Sequence, residues 1–144
     1  MSKGTFRKVG KSSKTLYGPR AMLVCGFTPE EQKAVVAFVK GLGMKSVPVI
    51  FAVKSDGNGI LQELMSRPDQ SGFEEHCPLE RTIVLSGITE SELHKILSSY
   101  RGTGLPQPLW ATLTPVSHTW PLSDLVEELK KERAAIERKR QTGG

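Results

Sequence analysis

Arg20-Ala-Met-Leu-Val-Cys-Gly-Phe-Thr-Pro-Glu-Glu31 and Arg81-Thr-Ile-Val-Leu-Ser-Gly-Ile-Thr-Glu-Ser-Glu92 are one pattern written twice, 61 residues apart and without a gap. At the same offset Lys40-Gly-Leu-Gly-Met44 lies over Arg101-Gly-Thr-Gly-Leu105, and Leu61-Gln-Glu-Leu-Met65 over Leu122-Ser-Asp-Leu-Val126. Six landmarks are identical between the copies: Arg20/Arg81, Gly26/Gly87, Thr28/Thr89, Glu31/Glu92, Gly41/Gly102 and Gly43/Gly104. A repeat of this kind marks one supersecondary unit used twice.

Each copy opens with an apolar run of strand length, Ala21–Cys25 or Thr82–Ser86, closed by the turn glycine Gly26 or Gly87. A helix start follows. Thr28 and Thr89 stand at N-cap positions, Glu31 and Glu92 close capping boxes three residues on, and Pro29 takes a first helical position. Val35, Val36, Val39 and Phe38 mark the buried face of the first helix, and Leu93, Ile96, Leu97 and Tyr100 that of the second; the paired glycines stop both. Val47–Val53 and Leu109–Leu113 read as further strands, Ile60–Met65 as a short helix, and Pro121 as the start of a long one. The long helix carries Leu122, Leu125, Val126 and Leu129 at three- and four-residue spacing, then thins to Ile136 among charges.

The order βαβα, repeated, predicts an α/β fold. Two parallel strand–helix–strand units build a four-stranded sheet with helices packed on it and a pseudo-twofold axis. Side-by-side halves and a ferredoxin-like interleaved sheet both satisfy the pattern. The domain layout is a disordered basic arm over 1–19 and a single domain over 20–129. Its repeats are 20–66 and 81–127, joined by a linker at 67–80, and 130–144 form the basic end of the last helix and a tail.

With 144 residues, 38% hydrophobic and 24% charged, the chain can bury a core without metal or disulfides. No apolar run approaches the roughly 20 residues of a membrane span. Cys25 and Cys77 are too few for a disulfide scaffold and point to a reducing compartment. The net charge of +5 is unevenly placed. Residues 1–20 hold six Lys/Arg and no acid, and 129–144 hold six against Glu132 and Glu137, while the 108 residues between carry eight basic and thirteen acidic side chains. Lys3, Arg7, Lys8, Lys11, Lys14, Lys130, Lys131, Arg133, Arg138, Lys139 and Arg140 are therefore the candidate contacts to an acidic partner, an anionic lipid surface or nucleic acid. Solubility alone is the plainer explanation of the same charges.

Chemistry is sparse. Each strand–glycine–helix junction has one glycine rather than a dinucleotide fingerprint, and its own glutamate occupies the donors a phosphate would need. Cys25, Cys77, His76, His94 and His118 lack paired ligand spacing, so no metal is expected. Ser86 lacks a nucleophile elbow, and Asp56-Gly-Asn-Gly59 lacks the closing glutamate of a calcium loop and reads as a turn. Trp110 reads as core and Trp120 as a staple for the long helix. Neither an enzyme nor a cofactor is expected.

The combination of Arg20-Ala-Met-Leu-Val-Cys-Gly-Phe-Thr28, Leu93-His-Lys-Ile-Leu97, Leu109-Trp-Ala-Thr-Leu-Thr-Pro115 and Trp120-Pro-Leu-Ser-Asp-Leu-Val-Glu-Glu-Leu129 resembles a family catalogued as domain of unknown function 3783. The resemblance covers roughly residues 20–135. Two copies in one chain are similar to the plant and green-algal members, which are plastid proteins. The resemblance supplies no catalytic residues. It implies a non-enzymatic assembly or scaffold factor for photosystem I, peripheral at the stromal face of the thylakoid and binding assembly factors or subunits. It also implies a mature form with an added Met1, because plastid import needs a transit peptide. The alternative is a plastid RNA- or ribosome-associated protein that binds through its basic tails.

Overall fold

The computed structural model describes residues 14–143, so Lys3, Arg7, Lys8 and Lys11 of the basic arm lie outside the described residues. Four strands and four α-helices follow in order: β1 (Ala21–Cys25), α1 (Pro29–Gly41), β2 (Val49–Phe51), α2 (Leu61–Leu64), β3 (Thr82–Ser86), α3 (Glu90–Tyr100), β4 (Leu109–Thr112) and α4 (Leu122–Gly143). The sheet order is β2-β1-β3-β4. β1 runs parallel to β2 and β3 parallel to β4, while the central β1–β3 pair is antiparallel. The halves therefore lie side by side and do not interleave.

The register carries the symmetry of the sequence. Leu23 faces Val84 at the centre of the β1–β3 ladder, and these two residues are equivalents at the 61-residue offset. Met22 pairs with Val49 in one half, and their counterparts Ile83 and Trp110 pair in the other. A second crossing point lies at the Ile60–Pro121 bridge. There Leu61 N donates to Trp120 O at 3.0 Å and Leu122 N donates to Gly59 O at 2.9 Å, again equivalent bonds.

Both faces of the sheet are covered, which is why β1 is apolar throughout rather than alternating. Met22, Val24, Phe51, Ile83 and Leu85 pack under α1 and α3 with Phe27, Val35, Val39, Ile96 and Tyr100. Leu23, Cys25, Ile50 and Val84 pack under α2 and α4 with Leu61, Leu64, Leu122, Leu125 and Val126.

Three details depart from the sequence reading. β2 is shorter than Val47–Val53: Pro48 offers only its carbonyl, to Met22 N, and Val53 N turns instead to the Asp56 carboxylate at 2.8 Å. Leu97 is 42% exposed rather than buried. Residues 14–19, placed above in a disordered arm, run along the β3–α3 turn, where Leu16 N donates to Ile88 O, Gly87 N to Tyr17 O and Glu90 N to Lys14 O. Helix α4 continues without a break past residue 129, where the sequence places the basic end of the last helix.

Gly26 and Gly87 each bring the end of one copy's first strand against the start of the other copy. Both have positive φ, and a side chain on Gly26 would meet the Leu79 carbonyl and Arg81 nitrogen, one on Gly87 the Arg20 nitrogen at 2.5 Å. Gly43, also at positive φ, faces open space. Equilibrium unfolding should show a loss of about 2–4 kcal/mol for Gly26→Ala or Gly87→Ala and about 1 kcal/mol for Gly43→Ala. Equal losses at all three would contradict the close approach.

Candidate functional site

The identical arginines and glutamates of the two copies meet across the pseudo-twofold axis. Arg20 donates to both carboxylate oxygens of Glu92 at 2.8 and 2.6 Å, and Arg81 donates to both of Glu31 at 3.0 and 2.7 Å. Each arginine thus grips the glutamate of the other copy. The same glutamates close the capping boxes: Thr28 N donates to Glu31 Oε1 and Glu31 N to Thr28 Oγ1, and Thr89 and Glu92 repeat both bonds. The helix starts are therefore occupied by resident carboxylates already held by arginines, and those carboxylates would meet an incoming phosphate with like charge. Arg20 in the first place, helped by the Thr89 N–H, holds the Glu92 carboxyl down at about 2; Arg81 lowers that of Glu31 in the same way.

The two edges of the sheet differ. At the β2 edge the linker lies alongside: Val49 N donates to Asp69 Oδ1 at 2.8 Å, Phe51 N to Ser71 O at 2.8 Å, and Gln70 N to Val49 O at 2.6 Å. The equivalents of Val49 and Phe51 are Trp110 and Thr112. Leu109 N and Leu113 N point inward, to Arg81 O and Leu85 O, so the intervening Trp110 and Thr112 amides point outward. Among the described residues nothing pairs with them. A hollow of about 240 Å³ flanks this edge on the α3 side, lined by Leu85, Leu93, Leu97, Trp110, Ala111 and Thr112. On the other side, between β4 and α4, a groove of about 310 Å³ is bordered by Leu109, Trp110, Leu129 and Ile136, with Arg133 and Arg140 among its charged walls. Trp110, expected as core, is half-buried; it packs edge-on against Tyr100 at 5.1 Å and serves both hollows.

Residues 81–136 match the family model described as Domain of unknown function (DUF3783). No curated protein and no solved structure matches the chain. The DUF3783 segment takes in β3, α3, β4 and α4 through Ile136, and so contains the open edge and both hollows. It stops short of the first copy, which the resemblance also covered; that copy ends in the single turn of α2 where the second has the long helix α4.

The described basic residues do not form one patch. Lys14 lies beside the α3 start, where its carbonyl accepts from Glu90 N. On α4, Lys130 pairs with Glu127 at 3.3 Å and Arg133 with Glu80 at 3.1 Å. Helical spacing turns Arg133 and Arg140 toward β4 and Lys131 and Arg138 to the opposite side, with Lys139 on a flank. Lys131 borders a hollow of about 350 Å³ whose other walls include Trp120, Asp124, Glu127 and Glu128, so that side of α4 is acidic. Among the described residues no three His, Cys, Asp or Glu side chains could hold a metal ion, and no helix is long and apolar enough to cross a membrane. Sequence reasoning missed the buried Asp56, which Arg67 grips at 2.9 and 3.1 Å, and the 3.6 Å contact between Cys25 and Cys77.

A carboxyl lowered on folding stabilises the fold in full above its ordinary value of 4.5, and that contribution disappears as pH falls toward 2. The urea midpoint should therefore drop between pH 4.5 and 2, and drop less steeply in Glu92→Gln, which lacks the titration. Parallel curves for the two proteins would contradict the Arg20–Glu92 grip.

Proposed function

We propose that the protein is a non-enzymatic assembly or scaffold factor that holds an extended segment of a protein partner along the open β4 edge. Its setting, following the resemblance to plastid members of the family, is photosystem I biogenesis at the stromal surface of the thylakoid, with assembly factors or subunits as partners. The observation that carries the binding mode is the outward pair of amides at Trp110 and Thr112, flanked on the α3 side by an apolar hollow and on the α4 side by a groove of mixed apolar and charged walls.

An added strand takes its affinity from main-chain hydrogen bonds and its specificity from alternate side chains entering pockets on either face. Each net bond is worth about 1 kcal/mol, so the pockets must supply much of the rest. Leu97 and Ile136, exposed on either side of the edge, provide that apolar contact. Natural sheets usually guard such an edge, as this chain guards β2 with its linker. The basic residues of the arm and of distal α4 add attachment to anionic lipid headgroups, about 1 kcal/mol for each Lys or Arg near the surface.

The test is affinity capture from solubilised thylakoids and stroma. Four baits are compared: the full chain, Leu97→Asp, Thr112→Pro, and a chain lacking residues 1–13 and 138–144. Capture of photosystem I subunits or assembly factors should survive the truncation and fall at least about tenfold with either edge substitution, each removing about 1.4 kcal/mol or more. Circular dichroism checks that both variants remain folded. Partners held equally by the edge variants, or ribosomal proteins and RNA lost with the tails, would refute the proposal.

A further inference from the structure

The sulfurs of Cys25 and Cys77 lie 3.6 Å apart, both side chains are buried, and the sequence contains no other cysteine. Cys25 ends β1. Cys77 is the buried residue between exposed His76 and Pro78 of the linker. The fold itself does not demand the contact. At the equivalent positions of the other copy stand Ser86, whose hydroxyl donates to the Pro19 carbonyl, and Leu16. Serine and leucine meet the structural need there, and a thiol pair appears on one side of the axis alone.

We propose that Cys25 and Cys77 form a reversible disulfide, made by exchange with a disulfide-bearing oxidant of the glutathione or dithiol-protein class, that fastens the linker to the end of β1. Cys77, on the surface segment, attacks as thiolate. The oxidant's S–S bond breaks, one thiol leaves, and a mixed disulfide remains on Cys77. Cys25 then gives up its proton to water and attacks the Cys77 sulfur, and the second thiol is expelled. The chain has lost two protons and two electrons, and the oxidant has become two thiols. A reducing dithiol reverses both steps.

The surroundings assign these roles. The Cys25 thiol hydrogen-bonds the Cys77 sulfur, and backbone N–H groups of Leu79 and Gly26 also face it; together they hold Cys77 below the usual thiol range against the opposing effects of burial and Asp56. The same hydrogen bond and burial push Cys25 up, as suits the thiol that resolves the mixed disulfide. Bond formation requires the sulfurs to close by about 1.5 Å. The linker around Cys77 is tied by few bonds: Gln32 donates to Glu75 O at 2.9 Å and accepts from Glu74 N at 2.6 Å, and Lys33 meets Glu74 only at 4.0 Å on the surface. A segment held this way opens locally without unfolding the sheet, which gives the oxidant access.

Redox titration of the full chain with glutathione at stepped ratios of oxidised to reduced form tests this. Samples are acid-quenched, alkylated in denaturant and weighed intact. The expected result is paired loss of both alkylations at a single midpoint, with little glutathione adduct on the wild type and several-fold more on Cys25→Ser. Amide exchange across 67–80 should slow in the oxidised form. Thiols that stay free at every ratio, or that take up glutathione independently of one another, would overturn the proposal. This readout needs no partner, so its failure is separate from failure of the scaffold reading.

Discussion

The antiparallel β1–β3 seam, with an arginine from each copy gripping the capping glutamate of the other, is the constraint on which the rest of the molecule depends. One carboxylate does two jobs at each end: it satisfies the first amides of a helix and it receives the guanidinium of the neighbouring copy. Helix start and inter-copy contact are thereby fixed together. The ion pairs are partly exposed and worth little as isolated charges. Their effect is to set angle and register. The core on either face, and the close approach at Gly26 and Gly87, supply most of the cohesion.

Once the seam joins β1 to β3, β2 and β4 must be the edges. The two copies then part company. The linker between them folds back on β2 and occupies its outward amides through Asp69 and Ser71. The second copy ends in the long helix α4, which packs across one face and leaves the β4 amides facing outward. The asymmetry of a nearly symmetric molecule thus falls at the edge where a partner strand would pair. The same linker carries Cys77, so the segment that guards one edge is also the one a disulfide would fasten.

Much of this was legible in the residues. The repeat announced two units, and the Thr-x-x-Glu signatures at Thr28 and Thr89 announced where α1 and α3 begin, because a capping box is a local motif. The pairing of β1 with β3 was not legible from any local pattern. Its signal lay in the identity of Arg20 with Arg81 and Glu31 with Glu92, residues whose meaning appears only when the copies face each other. The segment 67–80 stood in the sequence only as a linker between the repeats; its pairing with β2 depends on backbone geometry at Gln70, Gly72 and Glu74, all at positive φ. Leu97 fits the helical stripe yet faces solvent, because the stripe reports the helix period and not where the sheet beneath it ends. The open edge was invisible for the same reason: strand order had to be known before an edge existed.

Amide hydrogen exchange resolved residue by residue on the free protein tests the central claim most directly. The outward amides of the two edges are equivalents, Val49 and Phe51 against Trp110 and Thr112. An open β4 edge predicts that Trp110 and Thr112 exchange rapidly while Phe51 is protected like the core. Protection of Trp110 and Thr112 equal to that of Phe51 would mean that the β4 edge is already covered, and the account of this chain as a strand-accepting scaffold would be wrong.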